Sequence, residues 1–283
     1  MLQAFVELSK LRIVSMVLVT SSIGYLLGAR GEVSWLGLAF TLLGTGMAAA
    51  GSAALNNYLE RDIDALMERT KGRALPAGRI DPAQVLAFGI LMVLGGVALL
   101  VLAVNLLSAF LVLVTAFLYV LVYTPMKRLS WLNTPIGAIP GALPPLSGWA
   151  AASGSLDLGG WVLFLILFAW QHPHFYAIAW MCKEDYARAG LKMLPVIEPS
   201  GQRMFRQTVL FSVLLLVVSL VPAGIGMTGT LYLVGAVLIG AMFLATAIET
   251  AASRSLPSAR RLLRASVLYL PVLLVLILCD AVA

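Results

Sequence analysis

The chain has 283 residues, 61% of them hydrophobic and only 11% charged, with a mean hydropathy of +0.97. A soluble domain of this size needs more polar surface than that, so the composition excludes one and requires an integral membrane protein. The net charge of +6 does not indicate nucleic acid. The basic residues sit in short loops between apolar stretches, where membrane lipids with anionic headgroups and anionic substrates are the fitting partners.

Apolar stretches near the roughly 20 residues that cross a bilayer recur at 13–29, 35–55, 84–102, 105–123, 132–152, 160–181, 208–226, 231–250 and 263–282. They predict an all-α, polytopic bundle of nine transmembrane helices with no soluble domain. Of the nineteen Lys and Arg residues, all but Arg30 fall on one side of these spans. Cytoplasmic loops retain positive residues during insertion. The N-terminus is therefore expected in the cytoplasm and the C-terminus outside, in the cell inner (plasma) membrane. The first span follows Lys10 and Arg12 without a small-residue cleavage site and reads as a retained helix.

The longest polar connections, 59–82 and 183–206, both lie on the inner side and follow spans two and six. The four spans separating them predict a single domain, 1–283, built from halves at about 1–125 and 126–250 plus a final helix, 263–282. Each half would bring a polar loop to the same membrane face.

Span two runs into the densest polar stretch of the chain, Asn56 to Arg73. Ionisable residues packed against membrane helices mark function by default. If the helix continues, Asn56, Glu60, Asp64 and Glu68 recur every four residues. Each step rises about 6 Å and turns only about 40° out of line, so their oxygens share a face. Mg²⁺ is a hard ion that bridges one or two carboxylates to substrate phosphates, which makes Asn56, Glu60 and Asp64 the candidate metal and catalytic residues. Arg69, Lys71 and Arg73 follow at once, and guanidinium forks grip phosphate oxygens in pairs. Acid followed by base in this way suits a diphosphate. The alternative is a solvated loop of mutual salt bridges at a helix end.

Span five contains Pro135, Pro140, Pro144 and Pro145. Proline removes a backbone donor and clashes with the preceding turn, so an irregular helix lining a cavity is expected. A kinked packing helix using Gly137 and Gly141 for close contact is the equal alternative.

Span six ends in Trp170-Gln171-His172-Pro173-His174-Phe175 and holds both histidines of the chain. Residues two apart on a helix point about 200° apart, so His172 and His174 do not serve one centre equally. Helical spacing puts Gln171, His174, Ile178 and Asp185 on one face and favours His174. A neutral imidazole in a membrane suits a haem ligand, a proton carrier or a packing residue. Trp170, Phe175, Tyr176 and Trp180 suit either a flat slot for a planar molecule or an interfacial aromatic belt. Asp185, Lys183, Arg188 and Lys192 would extend the diphosphate end from the second half. Cys182 and Cys279 fall near opposite faces and carry no assigned role.

With these runs in view, the chain resembles the UbiA superfamily of intramembrane prenyltransferases over nearly its whole length, and within it the haem-farnesylating branch. Asn56-Asn57-Tyr58-Leu59-Glu60-Arg61-Asp62-Ile63-Asp64, with Met67 to Lys71 and Arg73, is similar to the family's first motif. Trp170 to Phe175, Asp185-Tyr186 and Met193-Leu194-Pro195 resemble its second region. The broader superfamily has aspartates where Asn57 and Glu60 stand here, and further spaced aspartates in the second region, where this chain has histidines and only Glu184-Asp185. The resemblance implies farnesyl diphosphate and haem B as substrates and Mg²⁺ as cofactor. By the same resemblance Asp185 is a further metal ligand, Lys183 and Lys192 are diphosphate contacts, and His174 with His172 forms the haem end. Downstream it implies haem A synthase or haem-copper oxidase assembly. A prenyltransferase for an aromatic quinone precursor is the nearest rival reading. A secondary transporter, whose broken helices resemble this pattern, is the more remote one.

Overall fold

A computed structural model describes residues 2–282, and every regular element among them is helical. The elements are α1 (Leu2–Leu8), α2 (Leu11–Gly28), α3 (Trp35–Asp64), α4 (Pro82–Ala103), α5 (Leu106–Phe117), a π-helical stretch (Leu118–Tyr123), α6 (Thr124–Leu129), α7 (Asn133–Ser153), α8 (Leu158–Met181), α9 (Lys183–Arg188), α10 (Leu194–Ile197), α11 (Gln202–Gly224), α12 (Thr230–Ser253) and α13 (Leu256–Cys279). Among the described residues, eight helices are long and apolar enough to cross a membrane, with α5 to α6 counting as one continuous helix, Leu106–Leu129. The ninth predicted span, 132–152, is formed as α7, whose Gly, Pro and Ser content keeps it out of that set.

The helix starts follow ordinary capping chemistry. Ser34 accepts from the Gly37 N–H, Asp81 accepts from Ala83 ahead of Pro82, and Asn105 accepts from Ser108. Each satisfies donors that the first turn of a helix leaves free.

The helices gather into two compact units. The first runs up to Leu156 and includes Glu184–Lys192; the second comprises Asp157–Lys183 and the chain from Met193 onward. In the first unit, α2 lies against α7 at backbone distance. A Cβ built on Gly24 would sit 1.9 Å from the Pro145 carbonyl oxygen, and one on Gly148 would sit 1.9 Å from that of Ser21. Small residues permit this approach, which dispersion rewards in a membrane where apolar burial drives nothing. Asn105 Nδ2 donates to the carbonyls of Ala150 and Ala151 at 2.9 and 3.1 Å, tying α5 to the end of α7.

α7 corrects one expectation: it is a continuous helix with Pro140, Pro144 and Pro145 inside it. Membrane helices tolerate proline where surrounding groups re-satisfy the freed carbonyls. The close-packing alternative describes α7 better: a Cβ on Gly137 would sit 2.5 Å from the Tyr123 ring, and Gly148 adds the approach to Ser21, while Gly141 is exposed.

In the second unit, Trp170 Nε1 of α8 donates to the Ser266 carbonyl of α13 at 2.8 Å. Tyr232 of α12 donates to the Ser219 carbonyl of α11 at 2.6 Å, and Ser219 Oγ meets Tyr269 Oη of α13 at 2.9 Å. A few buried hydrogen bonds thus fix the register of helices whose outer surfaces are apolar.

Candidate active site

α3 stays helical to Asp64 and so delivers Asn56, Glu60 and Asp64 to one face, where they are 1%, 8% and 1% exposed. Each of the three meets a cation from a different segment. Lys10, from the corner between α1 and α2, donates from Nζ to Asn56 Oδ1 at 2.6 Å. Lys127 of α6 places Nζ 2.8 Å from Glu60 Oε1. Arg73, from the loop after α3, donates from Nη1 to Asp64 Oδ2 at 2.7 Å. An unpaired buried carboxylate costs several kcal/mol, and these cations are what make burial of the ladder tolerable.

The orientation of Asn56 is set by its neighbours. Thr124 Oγ1 spends its hydrogen on the Tyr119 carbonyl at 2.8 Å, across the π-helical stretch, and therefore accepts from Asn56 Nδ2 at 3.0 Å. That bond assigns the amide and turns Oδ1 toward Lys10. A π-helical turn widens the backbone where it occurs and commonly marks a functional site. Lys127 holds Glu60 Oε1 as a close ion pair, and a carboxylate oxygen facing a single ammonium keeps a further lone pair. The Lys127 ammonium also lies 4.6 Å from the centre of the Tyr123 ring. Burial pushes Lys10 down to about 7, and repulsion from Arg73 and Lys127 adds to this against the pull of Glu60 and Asp64.

The residues suit one kind of metal site. No group of three or more His, Cys, Asp or Glu side chains that could hold a metal occurs among the described residues. Two carboxylates and an amide oxygen, one carboxylate oxygen with a spare lone pair, fit a hard ion that completes its shell with phosphate oxygens and water.

Other predicted residues are placed differently. Glu68 is not a fourth member of the ladder, because α3 ends at Asp64. Thr70 Oγ1 donates to the Asp64 carbonyl at 2.8 Å and takes the acceptor a further helical turn would need. Glu68 pairs instead with Lys71 at 2.6 Å, both exposed. Arg69 lies over the Tyr186 ring at 5.8 Å, within the same unit. Asp185 does not continue the face of His174, because α8 stops at Met181 and Asp185 stands on the separate α9, paired with Arg188. Lys183 packs over Trp180 at 4.6 Å. Lys192 has an exposed side chain, and its backbone is held by the Lys127 carbonyl and Asn133.

Pro173 does not break α8, and the two histidines do point apart. His172 donates from Nδ1 to the Phe168 carbonyl at 2.8 Å, stacks on Phe211 at 3.5 Å and is wholly buried. Its Nε2 is a buried imine nitrogen without a partner. Ser266 Oγ donates to the Leu263 carbonyl at 2.7 Å, so at 2.8 Å it accepts from His174 Nδ1. His174 therefore also presents Nε2 as the imine nitrogen. Its ring stacks on Trp170 at 4.8 Å and is only half-buried, so it is the accessible one of the pair. Of the aromatic residues of the predicted slot, Trp170 and Phe175 both pack on the His174 ring, at 4.8 and 5.4 Å, while the other two serve separate contacts. Trp180 packs edge-on against Phe205, and Tyr176 donates to Gln207.

Sequence reasoning missed Lys10, Lys127 and Thr124. The available signal was one or two cations at span ends level with a polar run, which the charge count used only for orientation.

These features define a polytopic membrane protein with a buried ladder of oxygens, matched by cations, at the end of a helix. The chain belongs to the UbiA prenyltransferase family, which it matches over residues 17–270. It is 49% identical over 285 residues to the protoheme IX farnesyltransferase of Solibacter usitatus (strain Ellin6076), covering 98% of each chain. It is 45% identical to that of Salinibacter ruber (strain DSM 13855 / M31), covering 99% of each. Among solved structures, a digeranylgeranylglyceryl phosphate synthase superposes with a TM-score of 0.81 at 18% identity, covering 99% of this chain and 98% of that one. A UbiA homologue from Archaeoglobus fulgidus bound to GPP and Mg²⁺ gives 0.66 at 17% identity, covering 97% and 99%. These structural likenesses establish the fold.

Proposed function

We infer that the protein transfers a farnesyl group from farnesyl diphosphate to a vinyl group of haem B, with addition of water, giving haem O and diphosphate. The observation that carries this is the near full-length likeness to protoheme IX farnesyltransferases, joined to a buried ladder of oxygens matched by cations. Asn56, Glu60 and Asp64 hold Mg²⁺, with Asp185 as a further ligand. Arg69, Lys71, Arg73, Lys183 and Lys192 receive diphosphate oxygens. His174 orients the haem, while His172 is wholly buried against Phe211. The whole chain acts as one integral-membrane domain with its polar loops on the cytoplasmic side.

Mg²⁺, when bound, supplies neutralisation of the charge that collects on departing diphosphate. Arg73 and its neighbours supply donors that are in place before that charge appears. The carbon–oxygen bond breaks with its electron pair leaving on diphosphate. The allylic cation then adds to the vinyl group, and the resulting cation takes a hydroxide equivalent from water, which releases one proton. The vinyl group needs no deprotonation to react, so no general base is required and ionisation carries the barrier.

Incubation of the detergent-purified protein with haem B, farnesyl diphosphate and Mg²⁺ tests this reading. Haem-dependent release of diphosphate with a farnesylated haem product is expected. Release that depends on an aromatic quinone precursor and ignores haem would overturn it.

A further inference from the structure

The ladder and its partners do not balance in charge. Glu60 and Asp64 bring two negative charges, and Lys10, Lys127 and Arg73 bring three positive ones. Lys127 and Arg73 each have a carboxylate. Lys10 has only the neutral amide of Asn56. Of these three cations, Lys10 alone faces no carboxylate.

The chain holds Lys10 there at a cost. Its φ of 47° and ψ of 54° are left-handed, a conformation that costs a non-glycine residue of order 1 kcal/mol or more. The corner is fixed on both sides of it. Asn57 Nδ2 donates to the Leu8 carbonyl at 3.1 Å. Glu7 accepts from the Ala74 N–H at 2.9 Å and from Arg79 at 2.7 Å, which ties the same corner to the loop carrying Arg73. An ammonium on a four-carbon stem can swing where a backbone so anchored cannot.

We propose that Lys10 is a diphosphate-binding residue whose ammonium, seated on Asn56 Oδ1, blocks that metal-binding oxygen until the diphosphate draws it away. This rests on the ladder holding a divalent metal. An incoming diphosphate supplies the negative charge that Lys10 lacks, and as Lys10 turns to it Asn56 Oδ1 is released. The two ligands then bind cooperatively, each raising affinity for the other by the same factor.

The test is calorimetric titration of the full-length protein in detergent with Mn²⁺, with inorganic diphosphate, and with each in the presence of the other. The wild type is expected to bind Mn²⁺ at least about tenfold more tightly when diphosphate is present, the scale of one charge-assisted hydrogen bond. Lys10→Met should weaken diphosphate by about tenfold and strengthen Mn²⁺ binding on its own, so that the coupling shrinks. Lys10→Gly, which removes the left-handed constraint together with the charge, should behave like Lys10→Met. Wild-type coupling in either variant would overturn the proposal. The ladder reading fails separately, by unchanged Mn²⁺ binding in Asp64→Asn in the presence of diphosphate, while the loss of diphosphate affinity in Lys10→Met is read without metal.

Discussion

Arg73 reaches back nine residues to place Nη1 2.7 Å from Asp64 Oδ2, closing the loop that follows α3 over the end of that helix. Asp64 is 1% exposed, so its carboxylate faces Arg73 and whatever cation the ladder admits. Asp64→Asn keeps the shape and removes the charge. Product formation should fall at least about 100-fold, as when a group acting on developing charge is lost, while haem titrations stay unchanged. Full turnover in this variant would remove Asp64 from the metal site.

Glu60 and Lys127 form the most enclosed ion pair of the ladder, with side chains 10% and 16% exposed. Removing one partner of a buried pair leaves the other uncompensated, at about 3–5 kcal/mol. Glu60→Gln and Lys127→Met should each lower the thermal midpoint in detergent. The double variant should lose clearly less than the sum, as groups in contact do. Simple additivity would show that the pair contributes nothing to folding.

The contact between α2 and α7 leaves no room for a methyl group. Gly148→Ala would place a Cβ 1.9 Å from the Ser21 carbonyl oxygen, and backbone cannot yield as a flexible side chain would. Overpacking of this kind costs about 1–3 kcal/mol or more, read as a lowered thermal midpoint. Gly154→Ala is an informative contrast: it has open space but a φ of +69°, so any loss there comes from backbone strain alone.

His174 presents its imine nitrogen because Ser266 accepts from the other ring nitrogen. His174→Ala should weaken haem binding and shift the Soret band of the complex. Ser266→Ala, which frees the tautomer, should give a smaller effect in the same direction. His172→Phe should keep the haem spectrum, since His172 is wholly buried against Phe211. Unchanged spectra in His174→Ala would return that residue to a packing role.

Much of this was legible in the chain because helices repeat. Asn56, Glu60 and Asp64 could be placed on one face from spacing alone, since α3 remains helical as far as Asp64. Glu68 could not be excluded, because the helix is ended by the Thr70 hydroxyl rather than by a glycine or proline visible as a stop signal. Lys10 lies 46 residues from Asn56 in sequence, and no local pattern encodes so distant a pairing. The prolines of α7 were read correctly as lost donors but not as part of a continuous helix. Tolerance of proline depends on neighbours that only the packed structure supplies.

Farnesylation of haem by this protein can be read from mass spectrometry of haems extracted from cells with and without it. A haem species heavier than haem B by one farnesyl group plus water is expected only when the protein is made, and not with Asp64→Asn. An identical haem profile in the two cell populations, with farnesyl diphosphate supplied, would contradict it.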